Sequence, residues 1–287
     1  MDKLAAMKTD VIIIGGGPAG IACAIWLHKM GVSCLLLEGA AHVGGLQKRS
    51  PYENLWIPGV QGQTGQQVAQ ALEDHVMTLG VPVRKLCPVV AVSADGRRTV
   101  TTADEVLEAS FLVIATGSRP RSGGFSPSPT IIIGPGDGME ALEVAGQRIA
   151  ILGGGDNAFD QARFVRDRGG KPVIFSRHAP RAQKLLQGLI PDVPVVVGDY
   201  HADPAAMTVN GEAFAAFGIM YGFEAVVPEG LQPTLDGGYI RVDRFGETSI
   251  SGVFACGEVT DYWHPCVTTS AAHGIQVARS ISRRLNS

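Results

Sequence analysis

The stretch Val11 to Gly20, VIIIGGGPAG, decides how the rest of the chain is read. Val11 to Ile14 form an unbroken apolar run that stops abruptly in glycine, the pattern of a strand buried on both faces. Gly15, Gly17 and Gly20 then follow the G-x-G-x-x-G spacing of a dinucleotide site. The first glycine of that spacing makes a tight turn, the second lets the backbone approach a pyrophosphate, and the third lets the next helix pack closely on the strand. The helix is expected from about Pro18 to Met30, with its unpaired N–H groups and positive dipole end toward the ligand. A second apolar strand, Cys34 to Leu37, ends in Glu38, placed as an acid that hydrogen-bonds a ribose hydroxyl.

Around this unit, composition sets the bounds. A chain of 287 residues is long enough for two domains of about 150 residues each. A net charge of -3 with scattered basic residues argues against nucleic acid as a partner. The N-terminus MDKLAAMKTD is too short and polar for a signal peptide, and no apolar run reaches the about 20 residues of a membrane span. A cytoplasmic location is therefore expected, with no membrane partner. Five cysteines without a C-x-x-C argue against a secreted disulfide framework and against a zinc site, so no metal is expected. Cys23 and Cys34 fall on apolar positions, as core filler would.

Further along, residues 39–60 carry glycine and proline without a period and read as a loop. In a dinucleotide fold it would lie beside the ligand, with Gly44 and Gly45 permitting close approach and Asn54 offering a polar side chain; an ordinary surface loop is the alternative. Apolar spacing predicts a helix over 64–79, and strands are expected over 81–92, 99–107 and 111–115, the first two forming a hairpin about Ala94-Asp95-Gly96. Residues 118–138 are rich in Ser, Pro and Gly and read as an interdomain linker. A second strand and turn follow. Ile149 to Leu152 lead into Gly153-Gly154-Gly155-Asp156-Asn157-Ala158, a G-x-G-x-x-A at the head of a helix to about Arg168. No acid follows its partner strand, Val173 to Phe175. Ser176, Arg177 and Arg181 stand there instead, and arginine at that place favours NADP over NAD; a solvated turn is the alternative. Strands are expected over 193–197, 213–219, 237–243 and 252–255, and a closing helix over 268–285.

GGGPAG at 15–20, GG at 44–45, EN at 53–54, ATG at 115–117, GGGDNA at 153–158, SRHAPRA at 176–182 and GVFACGEVTD at 252–261 occur in one order. Together they resemble the low-molecular-weight thioredoxin reductase family of two-domain flavoproteins, over nearly the whole chain. The resemblance implies an α/β protein with two Rossmann-like dinucleotide-binding domains: a discontinuous FAD domain, 1–117 and 237–287, and an inserted NAD(P)H domain, 118–236. It also implies a homodimer whose domains rotate to present NADPH to the flavin, with NADH as the alternative nicotinamide. Gly15, Gly17, Pro18, Ala19, Glu38, Gly45, Leu46, Asn54, Gly117, Gly257, Glu258 and Val267 would hold FAD on this mapping. Gly153, Gly155, Asp156, Asn157, Ala158, Arg177 and Arg181 would hold NADPH.

The departures bear on function. The family carries its redox C-x-x-C just upstream of the second glycine turn, where this chain has TIIIGPGDGMEALEVAGQR without a cysteine. Reduction of a thioredoxin disulfide needs a dithiol, so that activity is not expected. Glu258 stands for the family's Asp, and His178 for its second Arg. Cys266 and Val267 fall at the start of the last helix, which the resemblance sets against the flavin, so Cys266 is a candidate reactive thiol; a small residue filling a turn is the alternative. His264 and His273 flank the same turn and are candidate proton carriers, or merely hydrogen-bonded helix residues. The expected activity is hydride uptake from NADPH by FAD and electron delivery to a ferredoxin-like protein or a small-molecule acceptor. Alternatives are a disulfide oxidoreductase using Cys256 and Cys266, and a flavin-binding protein without turnover.

Overall fold

The computed structural model describes residues 9–287 and divides into two compact units. The first takes the chain up to Lys48, Asn54–Ser118 and Ala225–Ser287; the second takes Arg49–Glu53 and Arg119–Glu224.

In the first unit β1 (Thr9–Ile14), α1 (Pro18–Lys29) and β2 (Cys34–Leu37) form the opening strand-turn-helix-strand, followed by α2 (Gly65–Thr78), β3 (Val83–Arg84), β4 (Val89–Ser93), β5 (Arg98–Thr102) and β6 (Val106–Ile114). The sheet runs β3-β2-β1-β6-β5-β4. Its parallel strands are buried on both faces, which is why β1 and β2 read as continuous apolar runs. Alternation sorts their side chains: Val11, Ile13 and Leu36 pack toward Cys23, Leu27, Val277 and Ile281, whereas Ile12, Ile14 and Leu35 pack toward Val92, Val100 and Leu231. β6 pairs in parallel with β1 along one edge and shares its other edge between two partners, Val106–Ala109 pairing antiparallel with β5 and Leu112–Ile114 pairing parallel with a strand from the far end of the chain.

The chain passes to the second unit through β7 (Ser118–Pro120) and continues as β8 (Ile131–Ile133), α3 (Asp137–Glu140), β9 (Arg148–Leu152), α4 (Asp156–Asp167), β10 (Lys171–Ser176), α5 (Lys184–Leu189) and β11 (Val195–Val197). A small antiparallel sheet, β12 (Ala202–Asp203), β13 (Thr208–Val209) and β14 (Glu212–Ala213), precedes β15 (Ala216–Ile219). The main sheet is parallel, ordered β11-β10-β9-β15-β8. The chain leaves β9 to one side for β10 and returns to the other as β15, so the C-terminal end of β9 is a topological switch point, where ligands of open α/β sheets bind. The end of β1, between β2 and β6, is the same point in the first unit.

The return runs through β16 (Phe223–Ala225), the hairpin β17 (Leu235–Asp236) and β18 (Tyr239–Ile240), then β19 (Val253–Ala255) and α6 (Val267–Leu285). β19 is the strand that pairs with β6. α6 lies on α1 so closely that a Cβ on Gly274 would stand 2.1 Å from the Ala19 carbonyl oxygen. No helix among the described residues is long and apolar enough to cross a membrane.

Several expectations need correction. Residues 118–138 are not a linker: Ile131–Ile133 form an edge strand of the second sheet, paired with Phe217–Ile219. Residues 81–92 are not one strand, because Pro82 and Pro88 interrupt the run and Leu86 turns at φ 54°; Val83–Arg84 instead extends the sheet beyond β2. The return to the first unit comes at Ala225 rather than 237. Val226 N–H donates to the Gly117 carbonyl, Val92 N–H donates to the Glu229 carbonyl, and Leu231 is buried against Val92 and Val100.

Candidate functional site

Both glycine turns solve the same backbone problem. Gly15 has φ +107°, and a Cβ there would lie 2.3 Å from the Ala115 carbonyl oxygen; Gly153 has φ +144°, and its Cβ would lie 2.2 Å from that of Met220. Neither position admits a side chain, since the next strand's end passes directly beneath. The second glycines differ in kind. A Cβ on Gly17 would meet only the Gly45 Cα at 3.9 Å, and one on Gly155 would meet nothing within 4 Å. Both face open space.

The helices that follow are unfinished at their first turn. α1 begins at Pro18 and α4 at Asp156, with Gly17 and Gly155 as caps and no side chain accepting from their N–H groups. α2, by contrast, carries a complete capping box between Thr64 and Gln67. An uncapped helix start opening on a bare glycine fits a pyrophosphate, which supplies the missing acceptors. The residues present therefore fit a dinucleotide at each turn.

In the first unit, Glu38 ends β2 with its carboxylate on the turn: Oε2 accepts from Gly16 N–H and Oε1 from Ala40 N–H, both at 2.8 Å. Gly45 packs on Gly17, and Leu46 continues a short 3-10 helix, Gly45–Arg49. Asn54 has its Oδ1 on the Trp56 and Ile57 N–H groups and its amide on Gln47, so the described side chain folds its own loop. The closing segment joins from the far end of the sequence. Gly257 packs on Ala19, Glu258 accepts from the Ser118 hydroxyl at 2.9 Å, and Gly117 stands nearby in sequence with no atom within 4 Å of an added Cβ. Trp263, His264, Pro265, Thr269 and His273 line a narrow slot with Gly257 and Glu258.

The candidate catalytic residues sort clearly. Cys256 is fully buried among Cys23, Val113 and Phe254, and burial pushes its thiol up to about 12. A thiol held protonated in an apolar core is packing, so the pairing of Cys256 with Cys266 loses one of its two nucleophiles. Cys266 is half-buried and caps α6, its sulfur accepting from Thr269 N–H at 3.4 Å ahead of Val267. His264 is exposed. His273 is buried, takes Gly257 N–H on Nδ1 at 3.3 Å, and stacks with Tyr262. Burial pulls its pKa down to about 4, so the ring is neutral and its Nε2 has no hydrogen-bond partner among the described residues.

In the second unit the turn opens into a cleft of about 450 Å³, of the size ligand sites have. Gly153, Gly155, Asp156, Asn157 and Ala158 line it together with Arg177 and Arg181, as the spacing implied. Asp156 is already engaged: both its oxygens accept from Gln183, which ties the loop after β10 to the head of α4. Three polar side chains of the lining carried no sequence signal. They are Arg121, from the segment read as linker, and Tyr200 and Tyr221, whose hydroxyls meet at 3.0 Å.

Comparison with known proteins agrees with this geometry. A family model described as pyridine nucleotide-disulphide oxidoreductase matches residues 9–193, well over half the chain. The chain is 28% identical to thioredoxin reductase of Mycolicibacterium smegmatis, over 96% of each protein. It is 27% identical to ferredoxin–NADP reductase of Ignicoccus hospitalis, over 88% of this chain and 90% of that one. The crystal structure of Lactococcus lactis thioredoxin reductase superposes with a TM-score of 0.84 at 24% identity, covering 96% and 98% of the two chains. With the match running from β1 through the second turn and its helix, the chain is an FAD-dependent NAD(P)H oxidoreductase and belongs to the pyridine nucleotide-disulphide oxidoreductase family.

Proposed function

We propose that the first unit is the FAD domain and the second the NADPH domain, and that electrons leave for a ferredoxin-type protein rather than for thioredoxin. The observation that carries this reading is the distribution of sulfur: all five cysteines fall in the first unit and the second has none. Reducing a disulfide takes a thiolate that attacks it and a second thiol that resolves the mixed disulfide. Cys23, Cys34 and Cys256 are core residues, Cys87 stands beside Glu38 with its N–H on the Glu38 carbonyl, and Cys266 heads α6, all five as free thiols, which supports a reading without a working dithiol. Bound FAD supplies two-electron uptake from a nicotinamide and one-electron release. The ferredoxin–NADP reductases among the relatives support that acceptor class.

On this reading Gly17 and the open N–H groups of α1 hold the FAD pyrophosphate, and Glu38 reaches a ribose hydroxyl with its remaining lone pairs. Glu258 and the start of α6 at Cys266 and Val267 complete that site. Gly155 and α4 hold the pyrophosphate of NADPH, and Arg177 and Arg181 its 2′-phosphate. His264 is exposed at the mouth of the slot beside Glu258, and the buried, neutral His273 holds Gly257 in place.

The test is cytochrome c reduction with NADPH by the FAD-loaded protein. The reading expects a rate that depends on added ferredoxin and survives Cys266→Ser. A rate indifferent to ferredoxin, alongside thioredoxin turnover abolished by Cys266→Ser, would replace the ferredoxin reading with the thiol one.

A further inference from the structure

We infer that Tyr200 and Tyr221 are specificity residues of the nucleotide cleft, their paired rings holding the Arg177 guanidinium where it meets the ribose 2′-phosphate. The inference rests on the reading of this cleft as the NADPH site. Neither tyrosine belongs to a glycine turn or to the SRHAPRA segment; the sheet brings them there. Tyr200 follows β11 and Tyr221 follows β15, strands on opposite sides of β9, and their hydroxyls close to 3.0 Å beside the end of β10, where Arg177 lies.

Arg177 has no carboxylate partner among the described residues. Elsewhere in the same unit Arg119 sits on Glu224, Arg148 on Glu212 and Arg166 on Asp167 and Asp192. The arginines left without a counter-charge in this unit include Arg121, Arg177 and Arg181, and all three line the cleft. Arg177 is instead positioned by aromatic faces. Its Cζ lies 5.6 Å from the Tyr200 ring centroid and 5.9 Å from that of Tyr221, within the reach of cation–π attraction. Burial, with the bond to Tyr221, pushes the Tyr200 phenol far up, so the ring stays neutral.

This arrangement does something an ion pair would not. A carboxylate beside Arg177 would fix the guanidinium but cancel its charge and compete for its N–H donors. A ring face fixes it while leaving those in-plane donors free for phosphate oxygens. Each ring is held in turn: Tyr200 packs on Phe175, and Tyr221 packs on Phe125 and lies over Gly123, where a Cβ would stand 2.3 Å from the ring. The tyrosines act through Arg177 and are positioning residues.

The experiment is calorimetric titration of the full chain with 2′,5′-ADP and with 5′-AMP, which differ by the 2′-phosphate. The wild type is expected to prefer 2′,5′-ADP. Tyr200→Leu and Tyr221→Leu should each weaken 2′,5′-ADP about three- to ten-fold, as loss of a cation–π contact would, and leave 5′-AMP unchanged. Tyr200→Phe and Tyr221→Phe keep a ring and should recover most of the preference. Arg177→Lys alters an exposed side chain without risk to the fold and should lose as much preference as the leucine variants. Leucine variants that weaken both nucleotides equally, or neither, overturn the inference and leave the NADPH reading standing, as does a lysine variant of full preference. A wild type that binds the two nucleotides alike overturns both.

Discussion

The two glycine turns share a backbone and differ in what stands beside it. At the first, Glu38 ends the neighbouring strand and its carboxylate bonds the N–H of Gly16 inside the turn. At the second, Ser176 ends the neighbouring strand and its hydroxyl donates to the His178 carbonyl, curling the chain so that Arg177 and Arg181 line the cleft. An anion closes one turn and cations flank the other. The glycine spacing thus specifies a cradle for a pyrophosphate, while the end of the next strand specifies what the rest of the nucleotide meets.

The largest effects separate the two kinds of glycine within each turn. Gly15→Ala and Gly153→Ala combine positive φ with a contact near 2.3 and 2.2 Å to a carbonyl oxygen. Each should cost about 3 kcal/mol or more in denaturant unfolding. Gly155→Ala meets nothing and sits at φ -95°, so stability should change by no more than about 0.5 kcal/mol while NADPH affinity falls, because the methyl occupies the pyrophosphate's approach. Normal NADPH binding by that variant would break the parallel between the turns.

Acid should drive the two units in opposite directions. His273, at about 4 in the fold and about 6.5 when unfolded, is protonated first in the unfolded chain. The first unit therefore loses stability as pH falls from 6.5 to 4, by about 3 kcal/mol at the lower end. Asp160 in the second unit is raised to about 6 by burial, against the opposing pull of Arg163 and with a further push from Asp156. Its folded form keeps the proton that its unfolded form releases near 3.8, so the second unit gains stability as pH falls through 6 toward 4. Amide hydrogen exchange at pH 7 and pH 4.5 checks this: opening of α6 should become easier and that of α4 harder. Parallel responses would remove the contrast.

A smaller effect tests the acid itself. In Glu38→Gln one of the two N–H groups now facing the carboxylate, Gly16 or Ala40, must face an NH2 instead, at a cost of about 1–3 kcal/mol. Thermal unfolding should fall by that amount, and retention of FAD on dilution should fall with it; a stable variant that keeps its FAD would free Glu38 of the role given to it.

Much of this was legible because steric demands leave marks in sequence. Gly15 and Gly153 cannot be other residues, and β1, buried on both faces, has no polar alternation to confuse with a helix. What escaped had no local mark. Ile131–Ile133 is a strand only because Phe217–Ile219 pairs with it, and three residues among Ser, Pro and Gly carry no period. Tyr200 and Tyr221 are joined by parallel strand order, which no spacing encodes. Cys256 was read as one half of an alternative thiol pair with Cys266, yet it directly follows a strand whose every residue is buried, and its own side chain enters the same core as Phe254. Asn54 was matched by motif, but its described bonds are to its own loop, a competition that short polar side chains commonly win.

The shared edge of β6 has a consequence for how the molecule comes into being. During synthesis β1, α1, β2 and β6 emerge early, but half of one edge of β6 waits for β19, and the face of α1 waits for α6, across more than a hundred intervening residues. The parallel sheet of the second unit lies wholly within Arg119–Glu224 and has all its strands before β19 leaves the ribosome. The inserted unit can therefore finish first, while its host carries an open apolar flank. That interval, ended only when Val253–Ala255 and then α6 arrive, is when this chain is most exposed to aggregation and most in need of a chaperone.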